Sequence, residues 1–241
     1  MQEHDRQGQV GPRRRPPRRE RDFAAIRGGE DAAFRRRIIS AAAEIFAERG
    51  FAAASIDEVA RRLGATKGLV YHRYRSKGEL LADVCESGLK SLRESLEAVI
   101  GHNERAVTRL TGAANLHASE VLTNLFLHRT LAEATSGMAV STLNGNEAEM
   151  IAGIAEQRRR YDAIFVQLIA ETVEQHDLPA GRDTAMLGRL FVTALDAPIL
   201  WPRQTLAEVS GRSGLIARQL AYFALRGIGA SDATLREEFS R

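Results

Sequence analysis

The run Thr66-Lys67-Gly68-Leu69-Val70-Tyr71-His72 places a hydroxyl, an ammonium, a phenol and an imidazole within about two helical turns. A short helix capped by Thr66 would bury Val70, with Tyr74 at i+4, and turn Lys67, Gly68, Tyr71 and His72 outward. The free backbone N–H groups at such a helix start, and its positive dipole end, suit a phosphate. Tyr71 and His72 can donate to phosphate oxygens, a contact that positions a protein on a duplex without reading its sequence. Reading falls to Lys67, against guanine, and to Thr66 or Leu69, against the methyl group of thymine. Gly68 has no side chain and admits the backbone close to a nucleic acid.

The flanking residues build the frame for this helix. Phe34, Ile38, Ala42, Ile45 and Phe46 recur at helical spacing from residue 31 to Arg49, and Gly50 suits the left-handed position that ends a helix. Ser55-Ile56-Asp57-Glu58 is a capping box, and it opens a short helix with Ile56, Val59, Ala60 and Leu63 on one face, stopped by Gly64. The third helix is predicted over Lys67 to Tyr74. Ser76-Lys77-Gly78-Glu79 is a second capping box, opening a long helix with Leu80, Leu81, Val84, Leu89, Leu92, Leu96 and Val99 on or near its inner side. Helix, tight glycine-containing turn, helix over 56–74 is a helix-turn-helix unit, whose second helix enters a major groove.

Phe46-Ala47-Glu48-Arg49-Gly50-Phe51, followed by Ser55-Ile56-Asp57-Glu58-Val59-Ala60-Arg61-Arg62-Leu63-Gly64-Ala65-Thr66-Lys67-Gly68-Leu69-Val70-Tyr71-His72-Arg73-Tyr74-Arg75-Ser76-Lys77-Gly78-Glu79-Leu80, resembles the N-terminal domain of TetR-family transcriptional regulators. Order and spacing are kept without a gap. Two positions depart: the family usually has Phe where Tyr74 stands and often Pro where Arg75 stands. The resemblance implies phosphate contacts at Ser55, Thr66, Tyr71, His72 and Lys77, and a readout surface over Thr66 to Leu69 and His72. It also implies homodimers on a palindromic double-stranded DNA operator. Each C-terminal domain would enclose a ligand pocket, and the last two long helices would pair across a two-fold. Here those helices are predicted at 183–200, with Leu187, Leu190, Phe191, Ala194, Leu195 and Ile199, and at 204–227, with Leu215, Ile216, Leu220, Phe223 and Leu225; otherwise these residues are ordinary core within the chain.

Charge is uneven along the chain, as an anionic partner at the front, nucleic acid or membrane, or simply a solvated surface would require. The 241 residues carry a net charge of only +3, but residues 32–78 hold 10 Lys or Arg against 4 Asp or Glu, and residues 79–241 hold 16 against 21. Residues 1–30, with arginines between Pro12, Pro16, Pro17, Gly28 and Gly29, are predicted to be a basic, disordered arm that either lies along phosphates or solubilises the chain. One cysteine excludes an intrachain disulfide or a multi-cysteine metal site. No apolar run reaches the roughly 18–20 residues of a membrane span, and no apolar stretch follows the N-terminal arginines, so a cytoplasmic protein without a membrane partner is expected.

The remaining helices are predicted at 103–117, 119–135 and 147–176, with no alternating strand pattern anywhere. The fold class is therefore all-α: an arm (1–30), a three-helix DNA-binding domain with the helix-turn-helix (31–78), a helical ligand-binding and dimerisation domain (79–229) and a C-terminal tail (230–241). Leu116, Leu122, Phe126, Met138, Phe165, Leu168, Ile169 and Trp201 either line an apolar cavity or are ordinary core. Asp196, inside an apolar run, either bonds a ligand or an arginine across the dimer, or faces water near Pro198. Arg158-Arg159-Arg160-Tyr161 resembles the equivalent helix of KstR-like members of the family, which respond to acyl-CoA-type metabolites; otherwise it is an exposed basic face. His117, His128 and His176 lack metal-ligand spacing and are expected at the surface or hydrogen-bonded.

The function so implied is a repressor released from its operator by a small apolar or amphipathic effector, of acyl-CoA type in the KstR-like reading, with no cofactor and no metal. One alternative is an effector-independent architectural or activating DNA-binding protein. The other is an enzyme, for which the chain offers no catalytic residues: Cys85 has no nucleophile signature around it, and there is neither a Walker-type phosphate loop nor a Gly-x-Ser-x-Gly elbow.

Overall fold

A computed structural model describes residues 18–101, 103–136, 143–209 and 211–240, all helix, turn or coil, with no strand among them. The predicted ligand residue Met138 lies outside the described residues. Residues up to Arg37 form a unit of their own, helical from Arg18; Ile38–Arg241 form the second. Helix therefore replaces the disorder expected over the second half of the arm. Arginine, glutamate and alanine are good helix formers there, and Gly28 and Gly29 cost only about 1 kcal/mol each rather than forbidding the conformation.

Helix α1 (Arg18–Ala53) breaks at Gly50, whose φ of 74° lies outside the helical region. Then come α2 (Ile56–Leu63), α3 (Lys67–Tyr71) and α4 (Lys77–Ile100). The third helix is shorter than predicted because its end tightens: the N–H groups of Arg73 and Tyr74 share the carbonyl of Val70, and Ser76 then caps α4. In α4 the predicted leucines are buried, and the helix packs on α5 (Ala106–Thr123), α6 (Leu125–Thr135) and α7 (Gly145–Glu174). α8 (Thr184–Leu195) packs on α7.

Four boundaries differ from the periodicity. The division after α5 falls at Asn124 rather than near residue 118. The predicted helix 183–200 ends as α8 at Leu195 and continues as a 3₁₀ turn, Ala197–Leu200, because Pro198 has no N–H to donate. The predicted helix 204–227 is two, α9 (Arg203–Val209) and α10 (Ser213–Gly227), parted at Gly211 with φ 77°; α10 packs on α5 and α8. Residues assigned to a tail form α11 (Asp232–Ser240), which is held by Leu235 in the core, by Tyr222 against Phe239, and by Thr108 donating to Glu238 at 2.9 Å.

Candidate nucleic-acid interface

The two short helices are built as the caps prescribe. The Ser55 hydroxyl oxygen accepts the N–H of Glu58 at 3.3 Å, and the Glu58 carboxylate accepts the N–H of Ser55 at 3.1 Å. Gly64, at φ 64° and ψ 26°, ends α2 in the left-handed region that glycine enters without a Cβ penalty. The N–H of Ala65 then reaches the carbonyl of Ala60 at 3.0 Å, so the turn is closed by backbone alone. Arg62 fixes α2 to α1 through Glu44 at 2.8 Å and Glu48 at 3.2 Å.

Helix α3 is two-sided in the predicted sense. Val70 is fully buried and Tyr74 nearly so, while Thr66, Lys67, Gly68, Leu69, Tyr71 and His72 are exposed. Leu69 keeps 49% and Tyr71 47% of its surface, so two large side chains share the open side of the helix. Thr66 caps the helix by accepting the N–H of Leu69, and a side chain at Gly68 would meet open space. Lys67 pairs with Asp57, a surface contact that a phosphate or base can displace. Tyr74, where the family has Phe, donates its hydroxyl to Asp83 on α4, so the extra oxygen is satisfied within the protein.

Two residues of the implied phosphate set are placed elsewhere. Lys77 donates to the carbonyls of Phe51 (2.6 Å), Ala52 (3.0 Å) and Ala54 (2.9 Å), with its ammonium 4.5 Å from the Phe51 ring centroid. Its three donors satisfy the carbonyl end of α1, and partial burial lowers its pKa. Ser55 is likewise held, since its hydroxyl also donates to Glu58 at 3.2 Å. Lys77→Met is therefore expected to cost about 1–3 kcal/mol of stability by orphaning these carbonyls. It should leave the salt dependence of duplex binding unchanged, whereas loss of a phosphate-bound lysine lowers that slope by about 1. Thermal unfolding and a salt titration of duplex anisotropy distinguish the two.

Among the cavities of the described residues, the candidate ligand residues do not share one. Phe165 and Ile169 are fully buried core, Leu116 and Leu122 are half-buried, and Phe126 is exposed. Trp201 lines a groove of about 590 Å³ with Ala47, Arg129, Ala132, Ile199 and Leu200. Asp196 lines a separate cleft of about 680 Å³ between α7 and α8, beside Asp162, Ala163, Val166 and Val192, with Arg159 and Arg189 also on its wall. Helical periodicity marks which positions are apolar, not which of them face one another.

Asp196 and Arg158 are brought together, but with each other. Asp196 accepts from Arg158 at 2.6 Å and pairs with His117 Nε2 at 3.0 Å; His117 Nδ1 lies 2.7 Å from the Tyr161 hydroxyl; Arg158 also donates to Asp162 at 2.8 Å. Burial pushes the Asp196 carboxyl up, yet His117 and Arg158 outweigh it and bring it down to about 2. For Asp162, with one such bond, burial prevails and its pKa is raised. His117 and His128 are both buried. The signal for His117 was present: it stands four residues after Ala113 and four before Val121, both on the inner face of α5. His176 is exposed.

The profile of the family described as bacterial regulatory proteins, tetR family, matches residues 38–84. The HTH-type transcriptional regulator SrpR of Pseudomonas putida is 30% identical over 152 residues, 62% of this chain and 65% of SrpR, so the match falls just short of two thirds of that relative. TtgW, an uncharacterised HTH-type transcriptional regulator of Pseudomonas putida, is 30% identical over 103 residues, covering 42% of this chain and 77% of TtgW. Among solved structures, the ketosteroid transcriptional regulator KstR2 of Mycobacterium tuberculosis has a TM-score of 0.68 at 18% identity, over 82% of this chain and 95% of its own. AibR, solved with isovaleryl coenzyme A and operator DNA, has a TM-score of 0.63 at 20% identity, over 78% and 96%.

Proposed function

We propose, from the premise that this chain belongs to the TetR family of bacterial regulatory proteins, that it is a repressor whose dimer holds a palindromic operator with α3 and releases it on binding a small effector. The observation that carries the reading is α3 itself: a helix anchored by Val70 whose opposite side, Thr66 to His72, is left exposed at the basic end of the chain. Tyr71, His72 and the start of the helix hold phosphates, and Lys67, Thr66 and Leu69 read bases. The dimer is supported by exposed apolar side chains on two adjacent helices: Met186 and Leu190 of α8, and Leu215, Tyr222 and Phe223 of α10. Of the residues first assigned to that interface, Phe191, Leu195 and Leu225 are core within the chain.

An effector of acyl-CoA type is supported by the backbone likeness to AibR and by the cleft between α7 and α8. Its volume falls within the roughly 300–1,000 Å³ of small-molecule sites, which favours a sensor over a collapsed core. The acyl chain would lie against Ala163, Val166 and Val192, with phosphates at Arg159 and Arg189. Arg158 and Asp196 hold the wall rather than the ligand. Effector and operator then oppose each other by linkage: the factor by which one weakens the other is the same in both directions. Selection of bound fragments from the host genome, followed by titration of an acyl-CoA series into the selected complex, tests both parts. The expected result is a two-fold symmetric site released by at least one chain length; an unsymmetric or absent site overturns the repressor reading, and indifference to every acyl-CoA overturns the effector class alone.

A further inference from the structure

The first turn of α4 is clasped by a carboxylate from α7. Gly78 is buried, and a Cβ there would fall 2.2 Å from Cδ of Glu147 and 2.5 and 2.6 Å from its two oxygens. Glu147 is itself only 8% exposed. One oxygen accepts the Ser76 hydroxyl and the other the N–H of Asn144 at 3.0 Å. Ser76 is the N-cap of α4 and Asn144 that of α7, so a single charge closes two helix starts, where the dipoles favour it.

The clasp continues into the helix-turn-helix. Lys77, between Ser76 and Gly78, holds the carbonyl end of α1, and Phe51 of that end donates its N–H to Glu133 of α6 at 3.5 Å. The chain then passes directly into Ser55 and α2. Glu147 thus stands at the head of an unbroken series of bonds from α7 through the α4 start to the elements that carry α3.

We propose that Glu147 is a positioning residue for DNA recognition, its carboxylate latching the first turn of α4 to α7 and so fixing the orientation of α2 and α3 on the C-terminal domain. The proposal rests on the DNA-binding reading above and deepens it. Operator preference requires two heads held at one spacing, whereas random DNA can be met by either head alone; losing the latch removes the first and spares the second.

The test uses the full chain with Glu147→Ala, Glu147→Gln and Gly78→Ala. Two quantities are read: the ratio of affinities for the selected operator and a random duplex of equal length, and amide hydrogen exchange over Phe51–Ala54 and Ser76–Glu79. Glu147→Ala should lower the ratio about tenfold or more with random binding unchanged, and speed exchange at those amides by a similar factor. Glu147→Gln, which keeps an oxygen for Ser76, should recover most of the ratio. Gly78→Ala should reproduce the defect, because its methyl group takes the place of the carboxylate; it decides the matter if Glu147→Ala does not fold. Wild-type ratio and exchange in both alanine variants overturn the proposal, as does a parallel loss on operator and random DNA. If the wild-type protein prefers no duplex, the regulator reading fails and the exchange measurement still decides the latch.

Discussion

Tyr71→Ala is expected to weaken binding to every duplex, about a hundredfold or more on the operator, where both heads bind, and about tenfold or more on random DNA, where one head suffices. A hydrogen bond to a charged group contributes about 1.5–3 kcal/mol, and a dimer carries two such contacts. Tyr71 is half exposed on a helix whose packing rests on Val70, so the unfolding temperature should not move. The phenol is neutral, and the salt dependence of binding should therefore stay as in the wild type. Lys67→Ala makes the contrast: as a base-reading side chain, its loss should relax preference at one base position in each half-site and weaken operator binding more than random binding. Fluorescence anisotropy with operator and random duplexes, at several salt concentrations, measures all of this. Wild-type affinity in Tyr71→Ala would place the interface on another surface.

Arg158→Met should be the most destabilising single change in the C-terminal domain, at about 3–5 kcal/mol near neutral pH. It removes the cation shared by Asp162 and Asp196, leaving Asp162 without its ion pair and Asp196 with His117 alone. The size of the loss should depend on pH. In the wild type, Asp196 has a carboxyl lowered to about 2. Glu120 is also about 2, because hydrogen bonds from His128, Ser91 and Asn124 outweigh the burial that pushes it up. A depressed carboxylate stabilises the fold above its ordinary pKa, by about 2 kcal/mol for Asp196, and loses that contribution as pH falls toward the folded value. Burial lowers the His128 pKa, so acidification below the ordinary imidazole value disfavours the fold as well. The wild type should therefore lose stability progressively on the acid side, most steeply between about pH 4.5 and 2. In Arg158→Met the freed carboxylates take up protons at higher pH, so its deficit is greatest near pH 7 and narrows toward pH 4. Thermal unfolding of both proteins across this range gives the comparison, and a deficit constant with pH would remove the charge explanation.

Much of this protein is legible in one dimension because the interactions that form it are local. Ser55 with Glu58, Ser76 with Glu79 and the glycines at 50 and 64 act within one turn of chain, so the helix-turn-helix, the two faces of α3 and the all-α class follow from spacing alone. Where the reading failed locally, the two glycines of the arm were weighed above the good helix formers around them, and at residues 230–241 the deciding contacts come from Thr108 and Tyr222, far off in the sequence.

What the tertiary structure alone decided is the partner of each long or buried polar group. Lys77 and the Phe51 carbonyl are 26 residues apart, Ser76 and Glu147 are 71, and His117 and Asp196 are 79. Whether a lysine meets phosphate or caps a helix, and whether an aspartate meets a ligand or an arginine, depends on which helices pack side by side. Amphipathic periodicity identifies the side of a helix that is buried but carries no information about its neighbour, and a buried charge is defined by that neighbour.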